Sequence, residues 1–445
     1  MPFKKIIFRK KFLSLLSCFL YCTPHFAAAE PIPAKSWDIL GQFTSTYQYH
    51  PAFTSPYQGE NSMNSSAENA TTADLTLYAG IRLWNGELWI NPEIDQGFGL
   101  SNTVGMAGYS SGEAYKVGSN DPYYRLSRFF YRYVANLGGE EQAVAASANE
   151  LGRVQTSDNL IFTAGKFSVT DVFDTNIYAH DPRADFFNWS IVESGAVDYA
   201  ADAWGYTQGA AVEWTQSKWT LRGGFFALST IPNTTTIDTT FNQHEWIIEL
   251  EERHQLWGHP GKLKLLGFIN QGNMGSYADA IKLAQQSNTV PNTELVRRPA
   301  SNTGFAINFE QEISSTLGGF TRASMNEGNN EAFDFTEINQ SIAAGLSLHG
   351  DHWGRHNDTL GFAAVVNGLS KNAKAYFSGG GMGILIGDGN LNYDYEKILE
   401  IYYAYSIPGF EHLMLSANYQ RVINPAYNQD RGPINIFGTR MHAEF

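Results

Sequence analysis

The chain has 445 residues, with 44 acidic side chains against 30 Lys and Arg and a net charge of −14, a balance that argues against nucleic acid as a partner. Mean hydropathy is −0.28, and past the amino-terminal leader no stretch is long and apolar, which excludes a helical membrane protein. What remains is an exported β-protein, either a soluble sandwich or solenoid or a transmembrane barrel, and an aromatic content of 14% favours the barrel, which needs Trp and Tyr at both lipid interfaces.

Lys4, Lys5, Arg9, Lys10 and Lys11 precede a short apolar run from Phe12 to Tyr21, and Ala27-Ala28-Ala29 follows as a small-residue cleavage site. This pattern predicts a secretory leader over 1–29, removed from a single mature domain at 30–445. Leu15-Leu16-Ser17-Cys18 has some likeness to a lipidation box, but the apolar run before it is short. Both cysteines, Cys18 and Cys22, lie in the leader, so the mature chain has no thiol for a disulfide or a metal.

Alternation predicts sixteen strands: 38–49, 72–83, 87–98, 124–136, 159–168, 204–215, 218–228, 244–256, 261–271, 302–313, 317–326, 338–349, 359–369, 396–406, 411–422 and 434–445. Most run about ten residues, the length a tilted strand needs to cross a bilayer. Their connections alternate long and short. That is expected of an all-β, single, antiparallel up-and-down barrel of sixteen strands (eighteen is the alternative), with long extracellular loops and short periplasmic turns. One connection, 137–158, should be short and is not; its Ala-rich stretch predicts a small periplasmic helix. Asn85-Gly86 predicts a two-residue turn that pairs Trp84 with Glu87 and Tyr78 with Glu93. Leu75, Leu77, Ala79, Ile81 and Leu83 then face out, while Tyr78, Arg82, Trp89 and Glu93 point inward. Helix is expected at Tyr277 to Gln286 and at the start of 372–386. The glycines at 379–383 lack the Lys-Ser/Thr of a phosphate loop and suggest a flexible pore loop. The last strand alternates most strictly: Phe437, Thr439, Met441 and Ala443 on one face, Gly438, Arg440, His442 and Glu444 on the other, ending in Phe445.

On the inward faces charge accumulates. Arg128 and Arg132 share a face opposite Phe129, Tyr131 and Tyr133; Glu213, Arg222, Glu249, Glu251, Glu310 and Glu400 each alternate with apolar neighbours. Such charges cannot face hydrocarbon and must line a wet lumen. A lumen of both signs selects little between ions. It offers donors beside acceptors that match vicinal hydroxyls of a sugar, with Trp89, Trp204 or Tyr206 as stacking faces. The same residues could equally do no more than hydrate a general diffusion pore. Enzymatic readings are weak: no local sequence isolates a glycosidase carboxylate pair, no nucleophile elbow is present, and His349, His352 and His356 have zinc-like spacing at a turn without a thiolate. No cofactor is expected.

Several stretches together resemble the carbohydrate-selective porin family, also called the porin B family: 91–116 (NPEIDQGFGLSNTVGMAGYSSGEAYK), 165–189 (GKFSVTDVFDTNIYAHDPRADFFNW), 198–205 (DYAADAWG), 258–275, 387–403 and 419–438 with its NPAYNQDRGP loop. The resemblance implies a sixteen-stranded outer-membrane barrel that passes monosaccharides or short oligosaccharides through a constriction of arginine and glutamate with infolded loops. The candidate constriction residues are then Arg82, Glu93, Arg125, Arg128, Arg132, Lys166, Arg183, Trp204, Glu213, Arg222, Glu310, Arg322 and Glu400. Asp171, Asp174, Asp181 and Arg183 lie in the long matching loop, where they either face the pore or pin the loop by ion pairs. The expected partners are a carbohydrate and outer-membrane lipid, with the chain monomeric or trimeric. A non-conducting, lectin-like surface barrel is the alternative, and a soluble periplasmic glycan enzyme a more distant one.

Overall fold

In a computed structural model, which describes residues 35–334, 337–410 and 412–445, sixteen strands close into one antiparallel barrel. The predicted leader lies outside the described residues. The strands are β1 Trp37–His50, β2 Glu68–Leu83, β3 Gly86–Gly97, β4 Ser119–Val144, β5 Arg153–Phe167, β6 Thr207–Gln216, β7 Trp219–Ala227 and β8 His244–Leu256. They continue as β9 His259–Gly275, β10 Arg297–Ser314, β11 Leu317–Asn326, β12 Gln340–Gly350, β13 Arg355–Gly368, β14 Glu396–Ser406, β15 Leu413–Ile423 and β16 Ile434–Glu444. Each strand pairs with its sequence neighbours, and β16 returns to β1 with Met441 opposite Ser45, which closes the barrel.

The wall obeys the two-residue period. In β16, Phe437 and Met441 are exposed, whereas Arg440 and His442 are buried inside. Leu75, Leu77, Trp246, Ile248, Phe305, Leu399 and Ile401 continue one exposed apolar band around the barrel, as a lipid-facing wall requires. Trp37, Trp84, Trp219, Trp257, Trp353 and Phe410 are exposed at the rim that carries the short turns, the girdle expected at a lipid–water boundary.

Three expectations fail. The 137–158 connection is not a helix: β4 and β5 run on as a hairpin to Val144 and Arg153, and the tip closes through a bridge between Ser147 and Glu150. The reason is tertiary, since Leu151 is fully buried inside the barrel and its N–H donates to Glu87 (2.7 Å). The β2–β3 turn is centred on Trp84 and Asn85, not on Asn85-Gly86, so Leu83 pairs with Gly86 and Thr76 with Glu93. Trp84 takes the left-handed conformation there (φ 52°). Gly86 serves packing: a Cβ on it would collide with the Tyr131 ring and the Arg132 carbonyl. Because the register moves by two residues, every side chain keeps its predicted face. Finally, Trp204 and Tyr206 precede β6 and belong to the loop that enters the barrel.

Helices are few. α1 (Trp189–Val192) lies in the 168–206 loop, capped by the Asn188 side chain. α2 (Tyr277–Ser287) and α3 (Lys371–Ser378) occur where the sequence predicts helix and pack together through Tyr277 against Tyr376 (4.8 Å between rings). The interior is filled by loops. Phe186 inserts against Phe320 and edge-on against Tyr402 (4.9 Å, 86°), burial that contributes about 1.5–3 kcal/mol for a side chain of this size.

Candidate functional site

The 168–206 loop turns into the lumen because the wall satisfies its backbone. Wall carboxylates accept loop N–H groups: Glu400 from Phe187 (2.6 Å) and Asn188 (3.0 Å), Glu249 from Asp174 (2.8 Å), and Glu310 from Ile177 (2.9 Å). Wall cations donate to loop carbonyls: Arg322 to Ile191 (2.9 Å) and Asp174 (3.0 Å), and Arg440 to Pro182 (2.6 Å), Ala184 (2.7 Å) and Asp185 (3.0 Å). Glu396 does the same for the 98–118 loop, accepting from Ala107 (3.0 Å) and Gly108 (2.7 Å). Buried peptide groups need such partners, and ionised ones make the strongest bonds. Glu310, Arg322 and Glu400, predicted as pore-lining, therefore hold a loop in place.

Between the two infolded loops and the wall lies a cavity of about 310 Å³, at the lower end of the range for small-molecule sites. The wall contributes Tyr78 and Arg128; the 98–118 loop contributes Tyr109, Glu113 and Tyr115; the 168–206 loop contributes Asp171, His180, Arg183, Trp189, Glu193, Trp204 and Tyr206. Arg128 donates from Nε (2.7 Å) and Nη2 (2.6 Å) to the two carboxylate oxygens of Asp171. Arg183 reaches Asp74 (3.1 Å) and Glu113 (3.3 Å). Arg125 binds Glu93 and Asp95 and donates to the Tyr115 hydroxyl (3.0 Å) and the Trp204 carbonyl (3.3 Å). The Tyr206 ring lies beside both Arg125 and Arg128 (4.9 and 5.0 Å), and Tyr109 stacks on Trp189 (5.6 Å, 7°). Donors, acceptors and aromatic faces thus alternate around one space.

Arg125 and Arg128 both point inward although they stand an odd three positions apart on β4. Pro92 of β3 has no N–H to give the ladder, and opposite it β4 bulges at Ser127, so Asn91 pairs with Arg128 while Pro92 pairs with Leu126. Ser127 turns in as well and bonds the Asn91 carbonyl (3.0 Å). A proline inside a predicted strand was the available signal for this bulge.

The other predicted residues are dispersed. Glu93 is buried behind the cavity, accepting from Arg125 and from Thr76 (2.8 Å). Arg132 donates to the Asn149 carbonyl (2.7 Å) and lines a second cavity of about 220 Å³. That cavity shares Ala148, Asn149, Asp171 and His180 with the first, so the two lie end to end past the folded-in hairpin tip. Arg82 donates to the Gly152 carbonyl of that tip. Lys166 stands 3.5 Å from Asp202. Arg222 binds Glu213 (2.9 Å), Glu249 (2.8 Å) and Glu251 (2.9 Å) along the wall, away from the cavity. Glu310 also borders a separate recess of about 710 Å³ at the short-turn rim. Trp89 is sealed against Gly80, out of reach of any solute. Alternation gave no sign of Tyr109, Glu113, Trp189 or Glu193, because they sit on loops.

In the loop, burial works against the charge of Asp171, but Arg128 and the Ser168 N–H hold its carboxyl below the usual range. Burial pushes Glu193 up to about 7, with His180 pulling the other way. His180 itself is disfavoured as a cation by burial yet raised overall by Glu193, 3.2 Å away.

The sequence profile of the family described as "Carbohydrate-selective porin, OprB family" matches residues 60–445. The chain belongs to the OprB family. Among solved structures it is similar to OprB of Pseudomonas putida at high pH (13% identity, TM-score 0.68, covering 92% of this chain and 94% of that one). It is similar too to the outer-membrane channel DcaP of Acinetobacter baumannii (9% identity, TM-score 0.52, covering 92% and 97%). At these identities the likeness speaks for the fold. A search of curated proteins gave no match. The chain is therefore an integral outer-membrane β-barrel, with the long loops extracellular and the short turns periplasmic.

Proposed function

We propose that this OprB-family chain, with its 1–29 leader removed, passes monosaccharides or short oligosaccharides passively and chemically unchanged into the periplasm. In this reading the 310 Å³ cavity is the selectivity site. One observation carries it: Arg128–Asp171 and Arg183–Glu113 present paired donors and acceptors beside the faces of Tyr206 and of the Tyr109–Trp189 stack. A sugar has hydroxyls on its edges and C–H groups on its faces, and needs both kinds of contact. The acceptor role that alternation pointed to at Glu93 passes to Asp171 and Glu113, which line the cavity. The two cavities in series give the solute a route toward the periplasm.

Sugar block of ion current in planar bilayers tests this. Each hydrogen bond to a charged group is worth about 1.5–3 kcal/mol. Arg128→Ala should therefore weaken the block by about ten- to a hundredfold, at 1.4 kcal/mol per decade. Tyr131→Leu is the control, because β4 turns that ring away from the cavity, and it should change nothing. An unchanged block in Arg128→Ala and in Glu113→Gln would place selectivity elsewhere.

A further inference from the structure

On the inner wall near the extracellular end, Glu245 of β8, Asn270 of β9 and Asn302 of β10 occupy one rung of the sheet. Glu245 pairs with Asn270, and Asn270 with Asn302. Side chains on one rung stand about 5 Å apart at Cβ. All three are buried: Glu245 and Asn270 are 0% exposed and Asn302 is 3%.

Both carboxylate oxygens of Glu245, and the amide oxygens of Asn270 and Asn302, have no hydrogen-bond donor. The Ala200 N–H lies near Glu245 but does not reach hydrogen-bond geometry. The Asn270 amide cannot be turned around to help. Its nitrogen donates to the Asp198 carbonyl (2.6 Å) and toward the Asp198 carboxylate (3.4 Å), so reversal would set oxygen against oxygen. The charged neighbour of Glu245 is another acid, Asp198. Asp334 follows close by: burial, then Asp198, then Glu245 push its carboxyl well above the usual range. Four buried acceptor oxygens thus lie along one rung where negative charge gathers, an arrangement that is costly unless something positive completes it.

A proton on Glu245, donated to a neighbouring amide oxygen, would answer two of the four oxygens. A hard cation would answer all four. Calcium takes six to eight oxygen ligands, accepts a bidentate carboxylate and amide oxygens, and fills remaining positions with water. Magnesium holds its waters and demands a stricter octahedron, and zinc prefers nitrogen and sulfur. We infer that Glu245, Asn270 and Asn302 form a calcium site on the inner wall, with Asn270 linking it to Asp198 of the infolded loop. Asp198 in turn accepts the N–H groups of Phe333 (2.7 Å) and Asp334 (3.0 Å), so the ion would tie two extracellular loops to the barrel.

The test uses the whole mature chain, refolded into detergent free of lipopolysaccharide, which itself binds divalent cations, and stripped with a chelator. Equilibrium dialysis with radioactive Ca²⁺ should find one ion per chain, and added CaCl₂ should raise the melting temperature. Glu245→Gln keeps the shape and removes the charge; it should weaken binding by about tenfold or more and remove the thermal response. Asn302→Ala is a second, less severe variant and should also weaken binding. No Ca²⁺ bound by the wild type, or equal binding by the wild type and both variants, would overturn the site. So would a wild type whose stability ignores Ca²⁺ but falls as pH rises, since Glu245 would then carry a proton.

Discussion

Removing the Arg440 side chain should loosen the constriction while leaving the barrel intact. Its guanidinium spans three consecutive-turn carbonyls, those of Pro182, Ala184 and Asp185, and lies over the Phe187 ring (4.4 Å). Each charge-assisted bond contributes about 1.5–3 kcal/mol, and water entering the gap would restore part of it. Counting two of the three bonds at the low end gives about 3 kcal/mol, so the docking equilibrium of this segment should fall about a hundredfold in Arg440→Ala. The charge faces the lumen, so insertion is unaffected and heat-modifiable mobility on gels should match the wild type. In planar bilayers the variant should show higher mean conductance and frequent current steps as the segment leaves and returns. Proteolysis within 168–206 should speed up. Arg440→Lys should recover little, because one ammonium cannot span three carbonyls as a planar fork does. A quiet channel of normal conductance, with unchanged proteolysis, would refute the idea that wall cations hold the loop.

Two more expectations follow from the same structure. Glu193 (raised to about 7) and His180 (raised) both line the cavity, and both lose protons as pH climbs through neutrality, so the wall becomes more negative. The cation-to-anion permeability ratio should rise between about pH 6 and pH 8, and the rise should vanish in a His180→Gln, Glu193→Gln double variant; reversal potentials in a salt gradient measure it. The sign for stability is the same: with both folded values raised, the contributions are present at low pH and fade as pH rises through neutral. Leu77→Arg and Ile401→Arg should impair assembly, since a cation facing midplane lipid costs about 2–4 kcal/mol; equal folding yields for these and for wild type would reverse the assignment of faces.

The wall was legible because a strand in a bilayer has a two-residue period enforced by two different solvents. All sixteen strands, the long and short connections, and the outward placement of Leu77, Ile401 and Met441 follow from that. The departures have local causes. At Pro92 the missing N–H creates a bulge; at Trp84–Asn85 cross-strand packing of Gly86 outweighs the Asn-Gly preference; at 145–152 a buried leucine overrides helix propensity.

The cavity was less legible, for a reason that belongs to this architecture. Alternation reports which wall residues avoid lipid. It does not report whether they then meet water, a solute or a folded-in loop. Glu310, Arg322, Glu400 and Arg440 all avoid lipid, yet each is consumed by peptide groups of the 168–206 loop. A loop of that length carries many N–H and C=O groups, and inside a barrel the wall must supply their partners. The more charge a barrel wall carries, the more loop it can hold in its lumen, and the fewer wall charges remain for the solute. Arg128 stays available because its partner Asp171 itself faces the cavity. The residues that meet the solute should accordingly be sought on the infolded loops, where Tyr109, Glu113, Arg183 and Trp189 stand, and the wall charges read as the scaffold that puts them there.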